Sequence, residues 1–214
     1  MLISYHGHSE FLVELADGRR VLFDPFPPQV NFPQRRVRAD VVSVSHQHFD
    51  HNFVDKVDGK PVVVDTAGSH QPLPGIRLQA VTAFHDDQQG RLRGETLCVT
   101  LEADWLKVCH LGDLGVAPDK DLREKLFMPD ILLIPIGGTY TLDAQAAKDT
   151  IEALQPRVII PMHYKSDQGG IDKITTLAPF LELMRPLAPS TQPLLRVTRE
   201  DLSQQPRLVE LTVR

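Results

Sequence analysis

Short β-branched and apolar runs separated by turns dominate the first half of the chain. Residues 2–5 and 10–15 read as strands, and Asp17-Gly18 is a hairpin signal leading into a third strand at 20–24. The proline-rich stretch 25–33 forbids regular structure. Residues 41–44 and 61–64 are runs of the kind buried on both faces of a sheet, and between them 52–57 has room for only a short helix. Strands follow at 76–83, 96–102 and 106–111, the last two joined by a turn near Ala103-Asp104.

Helical spacing then begins to alternate with the strands. It covers 119–127 and 142–154, the second with Thr141 as expected cap and Asp143 in its first turn, where a carboxylate favours the helix N-terminus. A further helix is expected over 171–184, interrupted by Pro179. Buried strands are expected at 131–134 and 158–160, and closing strands at 195–197 and 208–213. Strands first, then mixed βαβ units with helices enough for two sheet faces, predict a layered α/β sandwich.

The 214 residues suit one domain, 1–214, and 42% apolar with 24% charged residues is an ordinary globular balance. A net charge of −5 disfavours nucleic acid as partner, although Arg35-Arg36-Val37-Arg38 and Arg91-Leu92-Arg93 are local basic spots able to meet a phosphate or carboxylate. The first fifteen residues carry two histidines and two glutamates where a signal peptide needs an apolar core, and no run reaches a membrane span. A soluble cytoplasmic protein is expected. Cys98 and Cys109 lack CxxC spacing and read as buried reduced thiols.

The chemistry concentrates after the run 41–44. His46-Gln47-His48-Phe49-Asp50-His51 places three of the nine histidines and a carboxylate within six positions. In extended backbone, positions i and i+2 project to one side, so His46 and His48 can grip one ion while the following turn aims Asp50 and His51 at a second. Six residues cannot complete two coordination shells. His85, Asp113 and His163 each follow an apolar strand, and loops at one edge of a sheet converge in space.

The set His46, His48, Asp50, His51, His85, Asp113 and His163, in this order and with its HxHxDH core, resembles the metallo-β-lactamase superfamily. Tyr5-His6-Gly7-His8-Ser9 and Phe23-Asp24-Pro25-Phe26 are similar to the branch of Zn-dependent hydrolases that includes ascorbate-6-phosphate lactonase and a phospholipase D acting on N-acylated phosphatidylethanolamine. The resemblance implies a four-layer αββα sandwich, two mixed β-sheets with helices on the outer faces and the site at one edge. It also implies that His46, His48 and His85 hold one ion, that Asp50, His51 and His163 hold a second, and that Asp113 bridges them. Two divalent metal ions are expected as cofactors, zinc first, although Mn2+ and Fe2+ suit the same mixed donor set.

Two such ions lower the pKa of a shared water toward neutrality, which makes hydroxide available as the nucleophile. The chain has no GxSxG alternative. Asp50 is the candidate to orient that nucleophile and take its proton. His8, Asp24 and His110 are candidates to hydrogen-bond the ligands, with a purely structural role equally open for His110. His6 and His70 are assigned to structure or solvent, and Tyr140, Tyr164 and Lys165 follow strand ends and are candidates for substrate contact. The expected activity is hydrolysis of a small ester, lactone, amide or phosphodiester. The alternatives are oxidation at a single iron on the same fold, RNA processing, and a metal-dependent binding module without turnover.

Overall fold

The computed structural model describes residues 1–203 and 205–214. The strands are β1 (Leu2–Gly7), β2 (Glu10–Glu14), β3 (Arg20–Phe23), β4 (Val37–Arg38), β5 (Val41–Ser43), β6 (Val57–Asp58), β7 (Val62–Val64), β8 (Gly68–Leu73), β9 (Ile76–Phe84), β10 (Glu95–Ala103) and β11 (Leu106–His110). There follow α1 (Lys120–Leu126), β12 (Ile131–Pro135), α2 (Ala144–Leu154), β13 (Val158–Met162), α3 (Ala178–Leu183), β14 (Ser190–Gln192), β15 (Leu195–Arg196) and β16 (Arg207–Leu211).

Two mixed sheets face each other. One has the order β15-β1-β2-β3-β5-β7 and the other β14-β16-β13-β12-β11-β10-β9-β8. Both switch from antiparallel to parallel pairing part-way across, at β3–β5 and at β11–β12. The period of two along each strand decides what is inside. Phe11, Val13, Val21, Phe23 and Val41 point inward and share one cluster with Leu78, Leu101, Val108 and Leu132 of the second sheet. Each such side chain contributes about 1.5–3 kcal/mol by leaving water.

The two mixed sheets with few helices agree with the expected fold class, and the outer faces are covered differently. Helix α1 packs on β9, and Ile151 of α2, Met184 just after α3 and Ile159 of β13 line one cavity, so the helices cover the eight-stranded sheet. The outward residues of the six-stranded sheet, Leu12, Leu22 and Val42, are instead covered by Val37 and Val57 of the small β4–β6 sheet. Val62 and Val63, expected to be buried, are each 42% exposed, because β7 is the edge strand of its sheet.

Three helix expectations also shift. Leu142 N–H donates to Leu114 O at 2.9 Å, so the second helix starts at Ala144 and Asp143, not Thr141, is its cap, accepting Ala146 N–H at 2.8 Å. The helix expected over 171–184 is reduced to Ala178–Leu183. Thr175 N–H is already given to Gly137 O at 2.8 Å, and Pro179, lacking a donor, sits in the first turn of the short helix instead of interrupting a long one. Within the proline-rich stretch Pro28–Val30 forms one 3-10 turn, and 52–57 yields only another at Val54–Lys56.

Candidate metal centre

The C-terminal ends of β1, β3, β5, β9, β11 and β13 open toward the same edge and deliver His8, Asp24, the His46–His51 loop, His85, Asp113 and His163. Hydrogen bonds across the strand ends lock these loops together. Asp24 N–H donates to Ser43 O at 2.9 Å, Leu97 N–H to Ser45 O at 2.8 Å, and His163 N–H to His8 O at 2.7 Å. His8, Asp24 and His163 all have left-handed backbone, with φ of 55°, 44° and 54°. For a non-glycine residue that conformation costs of order 1–3 kcal/mol, and here three such residues cluster at one site. Gly112 has φ 53°, and a Cβ there would lie 2.8 Å from Leu97 O, so only glycine lets the chain turn into Asp113 at this point.

The donor atoms form groups whose members lie within 4.8 Å of one another: His46, His48 and His85 in one, and Asp50, His51 and His163, with His8, in another. Asp113 stands between them. Its Oδ2 is 3.2 Å from His51 Nε2, 3.3 Å from both His85 Nε2 and His163 Nε2, and 4.0 Å from His46 Nε2. His46 Nε2 and His48 Nδ1 are 3.0 Å apart. All seven side chains singled out in the sequence as ligands are therefore brought together.

The second nitrogens explain how the rings are aimed. His51 Nδ1–H donates to Asp24 Oδ2 at 2.8 Å, and His85 Nδ1–H to the Tyr140 carbonyl at 3.1 Å. Ser45 Oγ–H donates to Asp24 Oδ2 at 2.6 Å and lies 2.9 Å from His46 Nδ1, so Asp24 holds one ring directly and another through Ser45. Each of these three rings thereby presents Nε2 inward. His51 Nε2, both ring nitrogens of His163 and Asp113 Oδ1 are buried without a hydrogen-bond partner among the described residues. Orphaned polar atoms of this kind are costly unless something binds them, and imidazole with carboxylate is a donor set that zinc, iron and manganese accept, so the residues fit a metal site.

Electrostatics agree with that reading. Burial, reinforced by neighbouring His51, pushes His46 down to about 3, and burial with His163 nearby pushes His8 down to about 4. Burial works against charge on His51 too, but Asp113 and Asp24 outweigh it and hold its pKa well above the usual imidazole value. Burial raises Asp113, yet His163 and His51 overcome it and leave the carboxyl far below its usual range. Burial likewise opposes ionisation of Asp50, and the hydrogen bond from His8 Nε2 at 3.0 Å reverses the balance.

The remaining candidates divide. His110 gives Nε2–H to Ser9 O at 2.9 Å, accepts Gly112 N–H at 3.0 Å on Nδ1 and stacks on Phe23, so it is a buried histidine spent on backbone and not a partner of a ligand carboxylate. Tyr164 is buried with its ring 6.1 Å from that of Tyr5, and Lys165 Nζ pairs with Asp172 at 2.8 Å; neither lines the opening over the donors. Tyr140 does line it. That opening, about 360 Å³, has His48, Asp50, His85, Asp113 and His163 as its floor and Phe49, Arg93, Tyr140 and Ile171 as its walls. Ser45, Phe49 and Ile171 carry no sequence signal that marks them for the site, whereas Arg93 belonged to a basic spot whose position relative to the donors only the fold supplies.

Cys98 and Cys109 are buried free thiols, and burial pushes Cys109 up to about 12. His6 is paired with Glu10, and His70 is half-buried and bonded to Thr66 O, away from the donors.

Known proteins resemble this chain in sequence and fold. The beta-lactamase superfamily domain matches residues 2–163. A UPF0173 metal-dependent hydrolase of Thermofilum pendens is 33% identical over 77% of this chain and 83% of its own, and one of Thermococcus onnurineus is 28% identical over 77% and 84%. The crystal structure of a protein from Thermotoga maritima, described as a Zn-dependent hydrolase of the metallo-beta-lactamase superfamily, is 31% identical and superposes with a TM-score of 0.80 over 98% of this chain and 97% of that one. With the match spanning both sheets and the donor set, the chain belongs to the metallo-beta-lactamase superfamily.

Proposed function

We propose that this protein is a metal-dependent hydrolase that binds two divalent cations, zinc in the first place, and cleaves a small ester, lactone, amide or phosphodiester. The observation that carries the reading is Asp113 Oδ2, placed within 3.3 Å of imidazole nitrogens from His51, His85 and His163 and so between two donor groups. His46, His48 and His85 would hold one ion and Asp50, His51 and His163 the other, with Asp113 shared. The relatives carrying the hydrolase name support the same class.

Bound ions supply Lewis acidity, lowering the pKa of a water and polarising the bond to be cleaved. The chain's own groups do the rest. Asp50 orients the attacking water and takes its proton, and His8, hydrogen-bonded to Asp50 Oδ2 at 3.0 Å, fixes that carboxylate. Phe49 and Ile171 give one side of the opening an apolar wall. A single-iron oxidation site uses fewer donors than this, and the two donor groups favour a pair of ions.

Metal analysis after loading, with a substrate panel covering the four bond classes, tests the proposal. About two metals per chain and turnover of at least one class are expected, with Asp50→Ala abolishing turnover. Less than one metal per chain, or no hydrolysis across the panel, overturns it.

A further inference from the structure

Arg93 is the one lysine or arginine among the residues lining the opening over the donor cluster. Among the described residues, no carboxylate pairs with its guanidinium, although most other arginines of the surface loops are engaged. The contrast with its neighbour is direct. Arg91 spends its side chain inside its own loop, donating Nε–H to Gln88 O at 3.2 Å and Nη2–H to Gln88 Oε1 at 3.0 Å.

The position of Arg93 is built, because the loop that carries it is closed by one carboxylate. Asp86 accepts N–H groups from Gln88 and Gly90 on one oxygen and from Leu92 and Arg93 on the other, at 2.8–3.0 Å. His85 N–H donates to Gly94 O at 3.1 Å, so the metal-ligand candidate His85 and Arg93 are held at the two ends of the same closed loop. The guanidinium carbon lies 5.5 Å from the centroid of the Tyr140 ring, and the carbonyl of Tyr140 is the group that orients His85. A guanidinium held over an aromatic face by a cation–π contact still has N–H groups free for a planar or tetrahedral anion.

We propose that Arg93, held over the Tyr140 ring, recognises an anionic group on the substrate, a carboxylate or phosphate lying away from the bond that is cleaved. This rests on the hydrolase reading and narrows it to small anionic substrates. Their apolar portion faces Phe49, which is 58% exposed at the rim, and Ile171. The arrangement makes Arg93 a specificity-determining residue, separate from the groups that carry out the cleavage.

Two measurements on the zinc-loaded protein test this. In the first, phenyl acetate is compared with monophenyl glutarate, which adds a distant carboxylate to the same leaving group. The wild type is expected to favour the glutarate ester by at least about tenfold in kcat/KM, with the preference weakening as salt is raised. Arg93→Ala is expected to remove most of that ratio and its salt dependence, and Arg93→Lys to restore part of it. In the second, glutarate and phenylphosphonate are titrated calorimetrically, which separates carboxylate from phosphate-type anions. Arg93→Ala is expected to weaken at least one of them by about tenfold or more. Absence of binding in the wild type, or equal affinity in wild type and Arg93→Ala for both anions, overturns the inference. If neither these esters nor any member of the four-class panel is turned over while anion binding depends on Arg93, the hydrolase reading fails and the anion site stands.

Discussion

Asp24 Oδ2 accepts the Nδ1–H of His51 at 2.8 Å, and the opposite nitrogen of that ring then stands 3.2 Å from Asp113 Oδ2. The same carboxylate oxygen receives Ser45 Oγ–H, which in turn lies against His46 Nδ1, so one residue outside the donor set aims a ring in each donor group. Asp24→Ala is expected to weaken metal binding about 10- to 100-fold at both positions. Asp24→Asn, which keeps a carbonyl acceptor for His51, should lose less. Competition against a chromophoric chelator measures both; unchanged affinity in the alanine variant would show that the rings are held by packing alone.

Metal loading should release a proton. Burial opposes the charge on His51, but Asp113 and Asp24 outweigh it, so the metal-free ring is protonated at neutral pH. Ligation needs Nε2 without its proton. Affinity is therefore expected to rise with pH by about tenfold per unit near neutrality, until the raised pKa is passed. His46 adds nothing to this dependence, because burial already keeps it neutral with a pKa of about 3. Titrations in buffers of different ionisation enthalpy count the protons, and a pH-independent affinity between pH 6 and 8 would contradict the assignment.

Without metal, stability should peak near pH 6.5. His8 and His46 fall in the folded state to about 4 and about 3, through burial first and neighbouring imidazoles second. Below the unfolded value of about 6.5 the unfolded chain takes up their protons while the fold refuses them, so stability drops as pH falls toward those values. His51 has the opposite sign. Its contribution is complete below about 6.5 and is lost as pH rises toward its raised folded pKa. Asp50 and Asp113, both lowered, contribute fully above about 3.9 and do not change in this window. Urea unfolding of chelated protein from pH 4.5 to 8.5 checks the curve. A stability that climbs steadily on acidification from neutral pH would show that the histidines are not buried as described.

The cluster of candidate donors could be read from the chain because its residues are local in sequence or sit at strand ends. HxHxDH is contiguous, and His85, Asp113 and His163 each follow a run whose β character is plain. What surrounds them was not legible in the same way. The left-handed backbone at His8, Asp24 and His163 is imposed by bonds such as His163 N–H to His8 O, between residues 155 positions apart. Tyr140 was expected at the substrate, and it lines the opening, but the contact that fixes His85 is its backbone carbonyl, which every residue type carries. Strand β8 was missed because Gly68 and Pro72 obscure an edge strand whose partner, β9, supplies the order. The helix expected over 171–184 failed for the complementary reason, since its donors are claimed by the Gly137 loop and by its own turns before any helix forms.

Behind the metal loop, Lys56 and Glu10 form an ion pair that is almost wholly out of water, with side-chain exposures of 7% and 1%. Glu10 Oε1 is bonded to His6 Nδ1 at 2.8 Å, and Oε2 also receives Phe26 N–H at 3.2 Å. Lys56 Nζ reaches Phe26 O at 3.1 Å and lies 4.1 Å from the Phe26 ring centroid. The pair thus ties the 3-10 turn that follows His51 to the start of β2 and to the proline-rich segment after Asp24. Removing one partner leaves the other charge buried without compensation, so Glu10→Ala is expected to cost about 3–5 kcal/mol in urea unfolding. Replacing both, as Glu10→Gln with Lys56→Met, should recover most of that loss, because no buried charge then remains. The two outcomes separate an ion pair that stabilises from one that only avoids a penalty. A cost below about 1 kcal/mol for Glu10→Ala would show that water reaches Lys56 and that the pair does not anchor the loop.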